Sequence, residues 1–430
     1  MTAPAERPPS VDKLARSIAD VGLPHPMLVD AARAAIAAGA PDSARAIAVA
    51  TSRRMLRPVI NATGTILHTN LGRAPMPWRQ DERYTNLELD LTTGQRGSRM
   101  ATAGALIAKA CGAEDAIIVN NCAAAVLLGL GGLAEGRDVV VSRGELVEIG
   151  GGFRIPDVMA RSGARLVEVG TTNRTRVADF RTAVDDPATD VAAVLRVHQS
   201  NYKIIGFTEA PTTAQLAGLD APLVADIGSG LLDSRCPWLK GDPPTWLADE
   251  PAARQTLEAG AGLVMFSGDK LFGGPQAGII AGDAELVRRC AKHPLARALR
   301  PGSLVLAALQ ETALAYLAEA GDTIPFWRMA TLTVDQLRAR AAAYDVGEIV
   351  DVMSAPGGGT LPSVEIPSVG IAVPGDQRET LRELDHPIIA RVDHGETTRD
   401  DERTVLDLRT IHPDDDDMVA GVLRSLPGAR

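Results

Sequence analysis

The apolar positions of this chain follow two regimes. From Thr102 to Phe266, short continuous runs of Val, Ile, Leu and Ala alternate with stretches of helical periodicity. The pattern predicts helices over 102–111, 123–134, 153–162, 177–184, 214–219 and 251–259. It predicts strands over 116–119, 139–142, 165–169, 191–197, 223–226 and 263–266. Uninterrupted apolar strands are covered on both faces, and strand–helix alternation predicts a mostly parallel sheet.

The flanking regions read differently. Ser10 is placed to cap a helix over 11–21 that Gly22 ends, and a second helix over 26–38 stops at Gly39. Asp42 or Ser43 starts a third, running to about Leu56 before Pro58. Residues 59–75, rich in Thr, Asn and Gly, match neither period and read as a buried, site-lining loop. Beyond 301, helices over 302–320 and 326–345 precede strands over 349–353, 364–373, 388–393 and 404–408, with closing helices over 376–384 and 413–425. The expected organisation is a helical domain (1–57), a large α/β domain (58–301) and a small α+β domain (302–430).

Composition sharpens this outline. The net charge of -10 argues against a uniformly basic nucleic-acid binder. Residues 1–57 nevertheless carry eight Lys or Arg against five Asp or Glu, which suits either a local polyanion contact or a solvated helical face. The four cysteines, Cys111, Cys122, Cys236 and Cys290, show no metal spacing and no disulfide framework, as expected in a reducing compartment. The first ten residues have no signal-peptide core, and the longest uncharged apolar stretch, 122–134, is too short to span a bilayer. A cytoplasmic location is expected, with no membrane contact.

The candidate chemistry centres on Lys270. Only six lysines stand among 44 basic residues, and this one lies on a glycine-bracketed turn between two apolar runs. A primary amine condenses with an aldehyde, which arginine does not do. Lys270 therefore reads as a Schiff-base lysine or as a solvated turn residue. Strand 116–119 runs into Asn121-Cys122-Ala123 at a helix start, where backbone N–H groups can hold a phosphate. Strand 191–197 ends near His198, Ser200 and Asn201. Ser200 or Asn201 could touch a cofactor's phenolic oxygen, and His198 could pack on its ring, move protons or be structural. Asp226 ends strand 223–226, placed to pair a pyridine nitrogen or to cap the next turn. Ser267 could add a phosphate contact. Phosphate turn, polar strand end, acid and lysine occur in the order found in aspartate-aminotransferase-like (fold-type I) pyridoxal 5'-phosphate enzymes, an α/β fold.

Several stretches resemble the bacterial selenocysteine synthase family. They are Pro8-Pro-Ser-Val-Asp-Lys-Leu, Pro58-Val-Ile-Asn-Ala-Thr-Gly through Leu71-Gly-Arg-Ala, Gly94-Gln-Arg-Gly-Ser-Arg, Arg143-Gly-Glu-Leu-Val-Glu-Ile-Gly-Gly, Ser267-Gly-Asp-Lys-Leu-Phe-Gly-Gly-Pro-Gln-Ala-Gly, Ile324-Pro-Phe-Trp-Arg-Met and Gly357-Gly-Gly-Thr-Leu-Pro. The resemblance implies a pyridoxal-phosphate enzyme that converts L-seryl-tRNA(Sec) to L-selenocysteinyl-tRNA(Sec) with selenophosphate, through an aminoacrylyl-tRNA. It implies Lys270 as the Schiff-base lysine and Arg297 and Arg300 as selenophosphate ligands, on one face of a helical turn. Arg73 or Arg96 would complete that anion site. The N-terminal helices would bind tRNA, and the enzyme would form a ring-like homodecamer of dimers. Two alternatives differ in class: a pyridoxal-phosphate β-elimination or replacement enzyme for a free amino acid, and a cofactor-less tRNA-binding scaffold. Between Arg73 and Gly94 the chain is about ten residues shorter than is usual in the family, and Gln199 stands where the family has Pro.

Overall fold

The computed structural model describes residues 10–79, 82–149, 152–357, 359–394 and 402–428. Pro8-Pro9, Gly150-Gly151 and Gly358, parts of the motifs above, lie outside the described residues.

Residues Met1–Val59 form one compact unit and Ile60–Arg430 a second. In the first, α1 (Val11–Ser17), α2 (His25–Ala37) and α3 (Ala44–Arg53) bury Ala15, Ala32, Ala35 and Ala48, whose small side chains let short helices pack closely. Ser10 Oγ accepts from Lys13 N at 3.2 Å, the expected cap, and Gly22 ends the following turn at φ 79°. The third helix departs from expectation. A 3₁₀ turn occupies Pro41–Ser43, Ser43 makes no side-chain cap bond, and α3 stops at Arg53.

The second unit begins with β1 (Ile60–Asn61) and β2 (Thr65–Leu67), where a loop was expected. Their partners explain the miss, because β1 pairs with β14 (Ile388–Ile389) and β2 with β12 (Glu348–Gly357), far along the chain. Next come α4 (Ala101–Cys111), β3 (Asp115–Val119), α5 (Cys122–Ala134) and β4 (Asp138–Ser142). A hairpin, β5 (Glu148–Ile149) and β6 (Phe153–Arg154), takes the start of the helix expected at 153, so α6 spans Ile155–Ser162. Then follow β7 (Arg165–Val169), α7 (Val177–Val184), β8 (Val191–Val197), α8 (Thr213–Ala217), β9 (Leu223–Gly228), α9 (Ala253–Glu258), β10 (Leu263–Ser267) and β11 (Gly278–Gly282).

These strands form one sheet in the order β3-β11-β10-β9-β8-β4-β7. All neighbours are parallel except β11, which runs antiparallel to β10 and β3. Alternation divides the sheet's side chains between two faces. Val140, Val194, Ala225 and Val264 join one buried cluster with residues of α4, α9 and the later α12 (Ser303–Leu317). Val141, Leu195, Val224 and Met265 join the other with α5, α6 and α10 (Ala284–Lys292). Helix α10 has no counterpart among the sequence-based expectations, although Asp283 caps it through Glu285 N and Leu286 N. Helix α11 (Pro294–Ala298) follows.

Past α12, the helix expected over 326–345 is two, α13 (Pro325–Ala330) and α14 (Val334–Ala342), split by Thr333, which caps α14 with Gln336. A five-stranded sheet then runs β15 (Arg391–Asp393), β16 (Arg403–Asp407), β13 (Ile366–Pro374), β12 and β2. The closing helices α15 (Arg378–Arg382) and α16 (Asp416–Ser425) are shorter than expected. Under this sheet the buried Asp407 accepts from Ser354 Oγ and Ser368 Oγ, each at 2.7 Å. Gly64 comes so close that a Cβ there would lie 2.1 Å from Asp407 Oδ2. Among the described residues no helix is long and apolar enough to cross a membrane.

Candidate active site

Lys270 sits on a turn that the chain closes on itself. Gly268 N donates to Ala277 O, Gly274 N to Gly268 O and Gly273 N to Lys270 O. Gly273 holds φ 70°, and a Cβ there would lie 2.6 Å from Ile324 Cγ2. Leu271 N donates to Ser229 O, which ties the turn to the loop after β9. Lys270 is only 7% exposed, so the solvated-turn reading fails.

Asp226, 4% exposed, lies within β9, where the strand runs on to Gly228. It has the parity of Val224 and therefore faces α5. Its Oδ1 accepts from Gly228 N at 3.0 Å and from Cys122 Sγ at 3.6 Å. Burial pushes its carboxyl above the usual range, and the Lys270 charge opposes that shift. Burial, and then the Asp226 charge, push the Cys122 thiol up. The Lys270 charge thus bears on Asp226.

The expected phosphate turn is the N-terminus of α5. Asn121 Oδ1 caps it by accepting from Ala124 N at 2.9 Å. The N–H groups of Cys122 and Ala123 belong to the first helical turn and have no partner inside the helix, the arrangement that receives a phosphate. Asn120 N donates to Leu299 O, joining this turn to the segment that carries Arg297 and Arg300.

Several buried polar atoms have no protein partner: Ser200 Oγ and Ser229 Oγ beside the end of β9, Asp269 Oδ1 next to Lys270, and Asn201 Oδ1, whose Nδ2 donates to Glu148 O at 3.3 Å. Leaving such a group unpaired costs about 1–3 kcal/mol, so together they call for a polar ligand. Ser267 is buried at the end of β10. A buried lysine, a buried acid, a helix N-terminus and unpaired hydroxyl and amide groups suit an aldehyde, a ring nitrogen, a phosphate and a phenolic oxygen.

His198 does something else. Its backbone N donates to Asp226 O, but its Nε2 meets Glu250 Oε2 at 3.3 Å. The four arginines divide. Arg73, in the left-handed region at φ 63°, reaches Asp269 Oδ2 with Nη1 at 2.6 Å, beside Lys270. Arg96 is 77% exposed and donates to Glu88, which also holds Arg99 and has Arg300 Nη1 at 3.8 Å. Arg297 is exposed on α11. That helix ends at Ala298, so Arg297 and Arg300 do not share a helical face: Arg300 lies past the Leu299 cap. Asp269, Ser229 and Glu88 escaped the sequence reading. Asp269 carried a signal in its adjacency to Lys270, whereas Glu88 stands in a polar stretch without periodicity.

Comparison with known proteins gives the same direction. The family model for L-seryl-tRNA selenium transferase matches residues 59–412. The L-seryl-tRNA(Sec) selenium transferase of Moorella thermoacetica is 43% identical over 410 residues, 88% of this chain and 83% of that protein. The one from Hyphomonas neptunium is 44% identical, over 84% of this chain and 81% of that protein. The solved structure of D-glucosaminate-6-phosphate ammonia-lyase superposes with a TM-score of 0.56 at 20% identity, over 86% of this chain and 95% of that one, which shows the shared fold. The architecture is that of the aspartate-aminotransferase-like, fold-type I pyridoxal-phosphate enzymes, pyridoxal phosphate is the cofactor that these residues fit, and the chain belongs to the L-seryl-tRNA selenium transferase family.

Proposed function

We propose that this enzyme turns L-seryl-tRNA(Sec) into L-selenocysteinyl-tRNA(Sec), with selenophosphate as the selenium donor. The observation that carries the reading is the buried Lys270 on a turn tied to the loop after β9, together with the buried Asp226 that Cys122 meets from the N-terminal end of α5. Pyridoxal phosphate, when bound, supplies an electron sink for the pair left at the serine Cα. The residues of the chain do the rest. Lys270 Nζ removes the Cα proton and later returns it. Asp226 holds a proton at the ring nitrogen, and its Oδ1 is fixed for that task by Gly228 N. The first turn of α5 binds the phosphate, with Ser267 as a further candidate contact. Ser200 and Asn201 offer their unpaired oxygens to the ring substituents. The serine hydroxyl departs as water, the selenium of selenophosphate adds at the β-carbon, and attack of water on phosphorus breaks the selenium–phosphorus bond and releases phosphate.

For selenophosphate, guanidinium groups give bidentate contacts to phosphate oxygens. We assign Arg297 and Arg300 to it, with Arg73 as the upstream arginine, because Arg73 stands beside the residue next to Lys270. Arg96 shares Glu88 with Arg99. The N-terminal unit, basic over 1–57, is assigned to the tRNA, and a homodecamer of dimers is the expected assembly. Four free cysteines fit a cytoplasmic enzyme.

The direct test is Lys270→Ala with seryl-tRNA(Sec) and selenophosphate. The reading requires loss of selenocysteinyl-tRNA with tRNA binding retained, and full turnover by the variant would overturn it.

A further inference from the structure

A second cavity, of about 400 Å³, opens at the same carboxyl edge of the sheet and reaches over its other face. Asp226 follows the parity of Val224 and faces α5, whereas Ser142 and Arg196 follow Val140 and Val194 and face away from it. Ser142, Arg196 and His198 all line this cavity. Neither Lys270 nor Asp226 does.

One of its buried polar groups is a carboxylate without enough donors. The Glu250 side chain is 2% exposed; Oε2 meets His198, and Oε1 is buried with no partner. A second carboxylate, Glu145, accepts from Val197 N at 3.1 Å, and burial pushes it up to about 7. The unpaired Glu250 Oε1 calls for a ligand that brings an N–H donor. Among the described residues no three His, Cys, Asp or Glu side chains are grouped to hold a metal ion. Trp246, Leu361, Pro362 and Val364 supply an apolar wall, and Arg174 and Lys203 are also part of the lining. A flat apolar body, an amine edge and an adjoining phosphate describe a nucleotide.

We propose that this cavity receives the 3'-terminal adenosine of the aminoacyl-tRNA, its exocyclic amine donating to Glu250 and its base lying against Trp246. The proposal rests on the seryl-tRNA reading above. Reach supports it: β8 is two strands from β10, about 10 Å at the usual spacing. A nucleoside spans such a distance between its base edge and an acyl group on its ribose. Lys203 then serves the phosphate that precedes the adenosine, with Arg174, whose Nη2 donates to Glu209 Oε2 at 2.9 Å, beside it in the lining.

The test uses unaltered holoenzyme with adenosine and inosine as competitors of seryl-tRNA turnover. Inosine replaces the amine with a carbonyl and carries its edge donor at N1 instead, so an acceptor meets an acceptor at the position of the exocyclic amine. Adenosine is expected to compete with seryl-tRNA, and inosine to be at least ~10-fold weaker. Glu250→Gln, whose carboxamide offers both donor and acceptor, is expected to shrink that ratio and to raise KM for seryl-tRNA more than it lowers kcat. Equal competition by the two nucleosides, no competition by adenosine while seryl-tRNA turns over, or stronger competition by a simple alkylamine would each overturn the proposal. Wild-type holoenzyme that fails to turn over seryl-tRNA at all would instead overturn the functional reading on which it stands.

Discussion

The thiol of Cys122 lies 3.6 Å from Oδ1 of Asp226, so the first residue of α5 donates to the acid that faces it from β9. The bond favours the charged carboxylate against burial. Cys122→Ala removes it, and the carboxyl then rises further. A hydrogen bond of about 0.5–1.5 kcal/mol corresponds to a shift of up to roughly one pH unit. The acid limb of the pH–rate profile is expected to move to higher pH by that amount, with the plateau rate within a few-fold of wild type. Steady-state rates from pH 5 to 9 check this, and a limb that moves to lower pH contradicts it.

The two candidate upstream arginines should separate kinetically. Arg73→Ala is expected to raise KM for selenophosphate by ~10-fold or more, as befits loss of a charge-assisted contact. Arg96→Ala, whose exposed side chain pairs with Glu88, is expected to stay within about 3-fold, as surface ion pairs contribute little. The reverse ranking would move the anion site to Glu88 and its arginines.

Glu145 gives the fold a pH dependence of definite sign. Its folded carboxyl titrates at about 7, above the ordinary 4.5. The folded state holds the extra proton, so the stabilisation is complete below the unfolded value and is lost as pH rises through 7. The difference amounts to at most roughly 3 kcal/mol. Glu145→Gln should flatten the fall in Tm between pH 5 and 8, as read by thermal denaturation. An unchanged slope would place the titration elsewhere.

Gly64 and Gly39 offer a matched pair. Both hold positive φ, 76° and 69°, but only Gly64 has a neighbour where Cβ would go, Asp407 Oδ2 at 2.1 Å. Gly39→Ala is expected to cost about 1–2 kcal/mol from backbone strain alone. Gly64→Ala should cost clearly more, since the clash is with a buried carboxylate held by two serines. Denaturant unfolding of both variants decides, and equal costs would mean that the Asp407 cluster shifts freely.

The central sheet was legible in the sequence because its strands are buried on both faces and read as apolar runs, as in 139–141 and 263–266. Asp226 and Lys270 were legible because they interrupt or follow such runs with polar chemistry. Helix α10 was missed because its strongly charged outer face dilutes the apolar signal, although Asp283 marked its start. Strands β1 and β2 gave no periodic signal, being two and three residues long and paired with distant segments. The pairing of His198 with Glu250 and of Arg73 with Asp269 is made by tertiary folding, and no local pattern announces it.

The pairing of β1 with β14 and of β2 with β12 bears on synthesis as well as on structure. The ribosome releases the Asn-Ala-Thr-Gly segment early, but its strand partners arrive some three hundred residues later. Until then those backbone groups have no native partner, and loop closure over that length is slow. The sheet that carries Lys270 can assemble while the chain is still being made, whereas the smaller sheet waits for the end of translation. A chain cut short by premature termination would thus present a folded cofactor-binding sheet with its Asn-Ala-Thr-Gly segment unpaired, an exposed edge of the kind on which misassembly begins.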